Sequence, residues 1–366
     1  MIYITTQSFP PDIGGIQTYV YQVARELAAQ GNAVTVYVDQ VKQPNTLEFD
    51  RQQIFPIVRF GGMKLLRRLR KARALSQAVA STGGIILCDS WKSLELISDA
   101  VRQSAKIICL AHGMEFPADG SDKKKSRIAR ILSKAHVVLA NSHFTYDRIK
   151  PYVPASVQVD VFLPGMAVPP ALDETTLQVV RERCKPFSPS ILTIGRLEPR
   201  KGQDKLIGAV ARLQADFPDI HYFILGVGED TARLKELVRK KGLADRVTFL
   251  GSVSEQEKFA WLASIDIFAM PSRAEGNSVE GFGIVYLEAA YFGKPSLAGR
   301  VGGAGDAVLD QETGILCDGS SEESVTQGLR VLADKSRRET LGTNAKVRVE
   351  RDFMWPNAIE RLKAFF

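Results

Sequence analysis

Hydrophobic positions along this chain alternate between two periods, the every-second-residue pattern of strands and the three-to-four-residue spacing of helices. A β-branched run over Ile2–Thr5 leads into a helical pattern over Gln17–Ala29, and an alternating strand pattern follows over Ala33–Val38. This order predicts a βαβ unit with parallel strands. Further apolar runs predict additional strands of the same sheet at Ile85–Cys88, Lys106–Leu110 and Val137–Ala140.

A proline-rich passage, 163–170, interrupts the pattern, and the cycle of strands and helices then starts again. The strands predicted after it are Ile191–Ile194, Tyr222–Leu225, Val247–Leu250, Ile267–Met270 and Pro295–Ala298. The helices predicted between them are Lys205–Asp216, Thr231–Lys241, Ser254–Ser264 and Ile284–Tyr291. We therefore predict two doubly wound α/β domains, residues 1–168 and 169–354, and a last helix broken at Trp355-Pro356.

Charge differs between the two predicted domains. Residues 1–168 carry 21 basic and 13 acidic side chains, a net charge of +8, whereas the remainder carries 27 and 28, a net charge of −1. The four cysteines are far apart and have no metal-ligand spacing, which favours a reducing cytoplasm. The N-terminus resembles a strand rather than a signal peptide, and no apolar run approaches the ~20 residues that cross a bilayer.

The first candidate site is the loop after the first predicted strand, which places Gly14 and Gly15 at the start of a helix. Backbone without side chains at a helix N-terminus can approach a phosphate or sugar closely, and the helix dipole favours an anion there. An ordinary glycine turn is the alternative interpretation. The loop lacks the G-x-G-x-x-G pattern, which argues against an NAD-dependent oxidoreductase.

A second strand-end loop, Gly195–Gly202, carries Arg196 and Lys201 at the start of the second domain. A guanidinium fork and an ammonium on one such loop could bind an anion such as a pyrophosphate. A solvated basic turn is the alternative.

The third loop has the most informative pattern, because Glu280 precedes Gly281-Phe282-Gly283 and a second carboxylate, Glu288, follows on the predicted helix. The two glycines would let successive amides converge on a phosphate. In a continuous helix the carboxylates would be about 12 Å apart along the axis. The paired carboxylates of a retaining glycosidase are only about 5 Å apart, so we expect Glu280 and Glu288 to have separate roles.

Together these loops resemble the retaining glycosyltransferases of family 4. Glu280 and Glu288 match the E-x7-E motif of that family, and Gly195–Gly202 matches its arginine and lysine loop. Further similar segments, in the family's order along nearly the whole chain, are Phe9–Gln17, Arg200–Asp204, Ile267–Ser272 and Val279–Glu288. The segments around Lys201 and Glu280 are most similar to the bacterial phosphatidylinositol mannosyltransferases, which use GDP-mannose.

The resemblance implies an α/β fold of the GT-B class, in which two Rossmann-like doubly wound domains face a cleft and the last helix, 355–366, returns to the N-terminal, acceptor-binding domain. The C-terminal domain would bind the nucleotide sugar. Implied donor-binding residues are Gly14, Gly15, Arg196, Lys201, Val253, Glu280, Gly281, Phe282, Gly283, Ile284, Val285 and Glu288. Implied catalytic residues are His112, Glu280, Arg196 and Lys201.

Within that set the resemblance implies distinct roles. Arg196, Lys201 and the amides of Gly281–Gly283 would bind the pyrophosphate. Glu280 would hold hydroxyls of the transferred sugar, and Glu288 would bind the ribose hydroxyls. The backbone of Val253 would read the base, and His112 would lie near the sugar.

No Asp-x-Asp triplet occurs, and the four histidines have no ligand spacing, so we expect neither a metal nor a cofactor. Cations and helix N-termini would then offset the charge of the leaving group. We hypothesise transfer with retention of a hexose, mannose from GDP-mannose, to a lipid-linked or glycan acceptor. A UDP-sugar-dependent transferase with a soluble acceptor and a GT-B nucleotide-sugar epimerase stay open as alternatives.

The surplus positive charge concentrates in two segments of the first domain. Residues 64–73 contain six cations, no acid and leucines at helical spacing, which predicts a basic amphipathic helix suited to an anionic membrane surface. A second cationic cluster spans Lys123–Lys134. Solvated helix faces with leucines packed on the core are the alternative. We expect peripheral docking to the inner face of the membrane, and no nucleic-acid partner, because no recognisable binding module is present.

Overall fold

Two parallel β-sheets organise the chain, whose computed structural model describes residues 1–12, 14–40, 45–116, 121–276 and 278–366. Each sheet belongs to its own compact unit. The first unit comprises Met1–Ala167 together with Trp355–Phe366, and the second comprises Val168–Met354. All strand pairs of both sheets are parallel in the described part of the chain, as expected for repeated βα units.

The sheet of the first unit has the strand order β3-β2-β1-β4-β5-β6-β7. Its strands are β1 (Ile2–Thr6), β2 (Val34–Asp39), β3 (Ile57–Phe60), β4 (Gly84–Cys88), β5 (Ala105–Ala111), β6 (Val137–Ala140) and β7 (Gln158–Val161). Its helices before the domain boundary are α1 (Gly15–Ala29), α2 (Thr46–Arg51), α3 (Lys64–Thr82), α4 (Trp91–Leu94), α5 (Asp122–Leu132) and α6 (His143–Ile149). Strand β1 is buried at every position, because helices cover both faces of the sheet.

The sheet of the second unit has the strand order β10-β9-β8-β11-β12-β13. Its strands are β8 (Ser190–Ile194), β9 (His221–Leu225), β10 (Val247–Gly251), β11 (Ile267–Met270), β12 (Ser296–Gly299) and β13 (Gly314–Cys317). Its helices are α7 (Glu174–Cys184), α8 (Gln203–Leu213), α9 (Thr231–Lys240), α10 (Glu255–Ser264), α11 (Ile284–Tyr291), α12 (Ala304–Ala307), α13 (Glu322–Ala333) and α14 (Lys335–Arg348). Ser254 and Glu257 form a capping box that fixes the start of α10.

The last helix, α15 (Trp355–Lys363), packs on α1 and belongs to the first unit. Pro356 lies in its first turn, where the missing N–H removes no helical hydrogen bond. A Cβ added at Gly165 would lie only 2.5 Å from the Trp355 ring, so a glycine is needed where the chain passes under this side chain. The break predicted at Trp355-Pro356 is therefore the start of a new helix.

The strands and helices predicted with both bounds are present, and their ends are shifted by at most three residues. The strand predicted from Pro295 begins instead at Ser296, because a proline has no N–H to donate to a ladder. Strands β3, β7 and β13 were not predicted. Each has only four residues and lies at a sheet edge, so the hydrophobic run that would mark it in the sequence is short.

Both sheets reverse their strand order beside their first strand, between β1 and β4 in one unit and between β8 and β11 in the other. Ligands of open α/β sheets bind beyond the carboxyl ends of the strands at such a switch point. The loops that leave β8 and β11 contain Lys201 and Glu280. The loops that leave β4 and β5 contain Asp89 and His112. The predicted site residues Lys201, Glu280 and His112 therefore lie at or beside these switch points.

Candidate functional site

The loops after β8 and β11 meet through their charged side chains. The Lys201 ammonium donates a hydrogen bond to Glu280 Oε2, and Arg200 Nη1 donates to the same oxygen at 3.0 Å. The side chains of all three residues are at most 14% exposed. Two predicted donor-binding residues therefore form a largely buried ion pair, with Arg200 as a third member.

The close approach of these loops depends on Gly202. This residue has a φ of +76°, in the left-handed region that favours glycine, and it precedes α8. A Cβ at this position would lie 2.2 Å from the carbonyl oxygen of Pro271, which follows β11. A larger residue here would push the Lys201 loop away from the Glu280 loop.

The electrostatics of Glu280 reflect two opposing effects. Burial alone would favour the neutral acid, but the neighbouring Lys201 and Arg200 outweigh it and hold the pKa of Glu280 below its ordinary value. Glu280 is therefore an ionised hydrogen-bond acceptor at neutral pH. Such a carboxylate can hold sugar hydroxyls, whereas it is poorly suited to donate a proton.

Arg196 lies at the exposed end of the same network. Its guanidinium, 78% exposed, approaches Glu198 Oε1 at 3.1 Å. The Arg200 guanidinium donates to Glu198 Oε2 at 2.9 Å and so connects Glu198 to Glu280. The predicted pair of Arg196 and Lys201 is thus joined through Glu198 and Arg200, and only Arg196 is open to solvent.

Helix α11 begins directly after the glycine-rich loop. Its N-cap, Gly283, has a φ of +87°, and a Cβ there would lie 2.6 Å from the Tyr286 ring. The Tyr286 hydroxyl donates to the carbonyl of Met270 at 2.5 Å, which ties the first turn of α11 to the end of β11. The amides at the start of a helix have no intrahelical acceptors, so residues 281–285 offer donors for an anion beside Glu280.

Glu288 lies farther along α11 and has a cationic partner of its own. Lys258, in the first turn of α10, donates to Glu288 Oε1 at 2.8 Å. Val253 lies between β10 and α10, half-buried. Glu288 and Val253, the predicted contacts of the ribose and the base, therefore lie on neighbouring elements of the second unit. Neither residue belongs to the Lys201–Glu280 pair.

His112 in the first unit is held in a defined orientation. Its Nε2 lies 3.0 Å from the carbonyl oxygen of Asp89, which can only accept, so Nε2 carries the proton and Nδ1 keeps its lone pair in the neutral ring. Its ring meets Tyr19 of α1 edge-on at 5.4 Å. Gly14 caps the same helix and Gly15 begins it, whereas Ile13 lies outside the described residues. The structure thus brings His112 and α1 to one edge of the first sheet.

Three residues of these sites were not predicted, namely Arg200, Glu198 and Lys258. The signal for Arg200 was its position beside Lys201 in a basic strand-end loop. Lys258 carries no motif, and only the packing of α10 against α11 reveals it.

The basic segment of α3 is divided between internal and external contacts. Lys71 is buried and pairs with Asp39 at 2.8 Å, and Arg67 pairs with the same carboxylate at 3.0 Å. Arg68 pairs with Glu95 at 3.4 Å, and Arg70 donates to the carbonyl of Gly61. Four of the six cations predicted to face a membrane therefore contact other residues of the first unit.

The apolar side of the same helix is exposed where it begins. Ala72 and Leu75 are buried, as a helix packed on the core requires, whereas Leu65 is 62% exposed. We call the exposed set Met63, Leu65, Leu66 and Leu69 the apolar patch. Lys64 and Arg73 lie on the same helix, exposed and without an ion-pair partner among the described residues.

The second cationic cluster lies on and just after α5. Arg127 pairs with Glu95 and stands over the Trp91 ring, and Lys134 donates to two backbone carbonyls. Lys123, Lys124, Lys125 and Arg130 have no ion-pair partner in the part of the chain that the structure describes. No helix among the described residues is both long and apolar enough to span a bilayer.

Two family models together match nearly the whole chain. The model described as Glycosyltransferase Family 4 matches residues 13–190, and the model described as Glycosyl transferases group 1 matches residues 183–348.

Curated relatives match over nearly their full length. The chain is 30% identical to the GDP-mannose-dependent alpha-(1-6)-phosphatidylinositol monomannoside mannosyltransferase of Mycolicibacterium smegmatis, over 98% of this chain and 96% of the relative. It is 29% identical to the Mycobacterium tuberculosis enzyme of the same name, over 100% of this chain and 97% of the relative.

Among solved structures, Anabaena HepE in complex with UDP has a TM-score of 0.79 and 20% identity, with 99% of this chain and 98% of that chain covered. At that identity the likeness concerns the fold alone. Together with the two parallel-sheet units it confirms the predicted GT-B class.

Proposed function

We propose, from the premise that this chain belongs to glycosyltransferase family 4, that it transfers mannose from GDP-mannose to a lipid-linked acceptor at a membrane surface. Glycosyl transfer itself follows from the family and from the mannosyltransferases among its full-length relatives. The observation that carries the finer proposal is that similarity, over 98% of the chain, to an enzyme named for GDP-mannose and for phosphatidylinositol monomannoside.

The second unit is the proposed donor-binding unit. Lys201 and the exposed Arg196 would bind the pyrophosphate, together with the amides at the start of α11. Glu280, kept ionised by its cationic neighbours, would accept hydrogen bonds from the mannose hydroxyls. Glu288 would bind the ribose, and the backbone of Val253 the base. These roles are supported by the clustering of Lys201 and Glu280 at the switch point of the sheet.

We propose transfer with retention and without a metal. The bond between mannose C1 and the β-phosphate oxygen breaks, and the acceptor oxygen forms a new bond to C1 on the same face. The acceptor proton passes to the departing phosphate oxygen, and GDP leaves. Lys201, Arg196 and the α11 amides would stabilise the charge that develops on that oxygen, as preorganised donors do in other transferases. EDTA should leave turnover unchanged if no metal takes part.

The first unit is the proposed acceptor-binding unit, docked on the inner face of the cytoplasmic membrane. The apolar patch would enter the boundary between headgroups and acyl chains, and Lys64 and Arg73 would contact anionic headgroups. His112 would lie beside the transferred sugar and direct its unprotonated Nδ1 to a hydroxyl. Phosphatidylinositol monomannoside is the acceptor that the relatives' name suggests.

Thermal denaturation with separate nucleotide sugars tests the donor. A ligand at 100 times its Kd stabilises the native state by about 2.7 kcal/mol. We expect GDP-mannose to raise the Tm, and UDP-glucose, UDP-N-acetylglucosamine and ADP-glucose to leave it unchanged. Stabilisation by a UDP-sugar alone would replace this proposal with the UDP-dependent alternative.

Incubation of the protein with the donor alone tests the reaction class. A transferase leaves GDP-mannose unchanged apart from slow hydrolysis. An epimerised nucleotide sugar in this mixture would instead identify a GT-B epimerase.

A further inference from the structure

The pair of Lys258 and Glu288 joins two helices that follow different strands of the second sheet. Lys258 Nζ donates to Glu288 Oε1 at 2.8 Å, and the two side chains are 22% and 19% exposed. The ammonium also lies 4.0 Å from the centroid of the Phe259 ring. Two contacts therefore fix the Lys258 side chain, in contrast to a lysine that extends into solvent.

Only one oxygen of the Glu288 carboxylate has a hydrogen-bonding partner among the described residues. That partner is Lys258, which donates to Oε1 alone. A carboxylate held through one oxygen has a restricted orientation and can still accept hydrogen bonds at the second. That arrangement suits recognition of a vicinal diol, whose two hydroxyls both donate.

Stability alone gives a weak reason for the pair. Partly exposed lysine–glutamate pairs typically contribute no more than about 1 kcal/mol to folding. The location is more informative, because Lys258 lies in the first turn of α10, a few residues after Val253, where the base contact is proposed, and Glu288 is the proposed ribose ligand. The cation thus lies at the nucleoside end of the proposed donor site.

We propose that Lys258 is a positioning residue for the donor nucleotide, which holds the Glu288 carboxylate in the orientation that the ribose hydroxyls require. The inference rests on the proposed function, which assigns the second unit to a nucleotide sugar and Glu288 to its ribose. Without Lys258, the Glu288 side chain becomes ordered only when the nucleotide binds. Because ordering a flexible side chain costs free energy, the nucleotide then binds more weakly. We expect a loss of about tenfold in affinity, similar in size to the ordering of one or two such side chains.

Calorimetric titration of the full chain with GDP and with 2′,3′-dideoxy-GDP tests this role. Lys258→Met should weaken GDP binding about tenfold and leave the binding of dideoxy-GDP at its wild-type value, since that probe lacks both hydroxyls. Lys258→Arg should restore GDP affinity. Glu288→Gln should remove the effect of Lys258→Met, because the lysine acts only through that carboxylate.

A matched control is Lys335→Met, which breaks an exposed lysine–glutamate pair on α14 of the same unit and should leave both affinities unchanged. Circular dichroism establishes that each variant is folded. Equal losses for GDP and dideoxy-GDP, or unchanged GDP affinity in Lys258→Met, would overturn the proposal.

Failure of the proposed function would be recognised separately in the wild-type protein. If UDP binds instead of GDP, the GDP-mannose assignment is wrong, and the same comparison with UDP and dideoxy-UDP decides the role of Lys258. If neither nucleotide binds the wild-type chain, the donor-site assignment and this proposal are both overturned.

Discussion

The cations of the second unit and those of the first are used in different ways. In the nearly neutral second unit, Lys201 and Arg200 are largely buried against Glu280, and Lys258 is paired with Glu288. In the basic first unit, cations such as Lys64 and Arg73 are exposed beside the apolar patch. Net charge therefore indicates which unit has a surplus of exposed cations, but it does not indicate where cations and carboxylates are buried in pairs.

The same contrast exists inside α3. Lys71 is buried and paired with Asp39, whereas Lys64, less than two turns of helix earlier, is exposed. A run of like charges thus contains residues that fix the helix to the sheet and residues that are exposed to solvent. Substitutions that separate these classes test the comparison directly.

The largest effect is expected from Lys71→Met. Loss of this ammonium leaves the Asp39 carboxylate, 6% exposed, with Arg67 as its remaining ion-pair partner among the described residues. Breaking a buried pair by removal of one partner typically costs about 3–5 kcal/mol, and Arg67 should keep the loss near the lower end. Urea unfolding measures it, with Lys64→Met as the control that should lose less than about 0.5 kcal/mol. Equal losses in the two variants would contradict the division of α3.

Lys201→Ala and Glu280→Ala should each reduce kcat/KM by about 100- to 1,000-fold. The two side chains contact each other, so the double variant should lose less than the product of the single losses. Steady-state transfer assays measure this, and circular dichroism establishes that the fold is intact. Wild-type rates in either single variant would show that the site is assigned wrongly.

Replacement of Leu65, Leu66 and Leu69 by serine should weaken binding to anionic vesicles about tenfold or more, because each exposed leucine loses the apolar surface it would bury. Sedimentation with vesicles at low salt measures the change. Val179→Ser is a matched control, since Val179 is an exposed apolar residue of the second unit. If wild-type protein fails to sediment with anionic vesicles, the membrane proposal is refuted.

The smallest effect concerns His221, in the interior of the second unit against Phe187. Burial lowers the pKa of His221 to about 4. The unfolded chain, with an ordinary histidine pKa, therefore binds more protons between about pH 5 and 6.5, and stability must fall as pH falls through that window. His221→Phe should make stability less dependent on pH there. An unchanged slope of urea midpoint against pH would mean that His221 is not buried in its neutral form.

Sequence patterns predicted the central strands and the residues that have motifs, because buried β-branched runs and glycine-rich strand ends leave a local signal. They predicted Lys201 and Glu280 separately. Their contact, and the part played by Arg200, join residues about 80 positions apart and depend on the adjacency of β8 and β11. Lys258 was missed for the same reason, since its partner lies 30 positions away on another helix.

The limits of the pattern are also visible in α3. Its leucines recur at helical spacing throughout, yet Leu75 is in the core and Leu65 is exposed. Hydrophobic spacing predicts that a helix has an apolar face. Hydrophobic spacing cannot predict which part of that apolar face is covered by the rest of the unit. The covered part depends on where the neighbouring strands end.

One measurement tests the central claim most directly. Labelled GDP-mannose is incubated with the protein and vesicles that contain phosphatidylinositol monomannoside, and the lipid phase is extracted and treated with α-mannosidase. We predict label in the lipid phase that α-mannosidase removes, and no label with Lys201→Ala. Label that enters lipid only from a UDP-sugar, or a mannolipid product that resists α-mannosidase, would contradict the account of a GDP-mannose-dependent, retaining transferase.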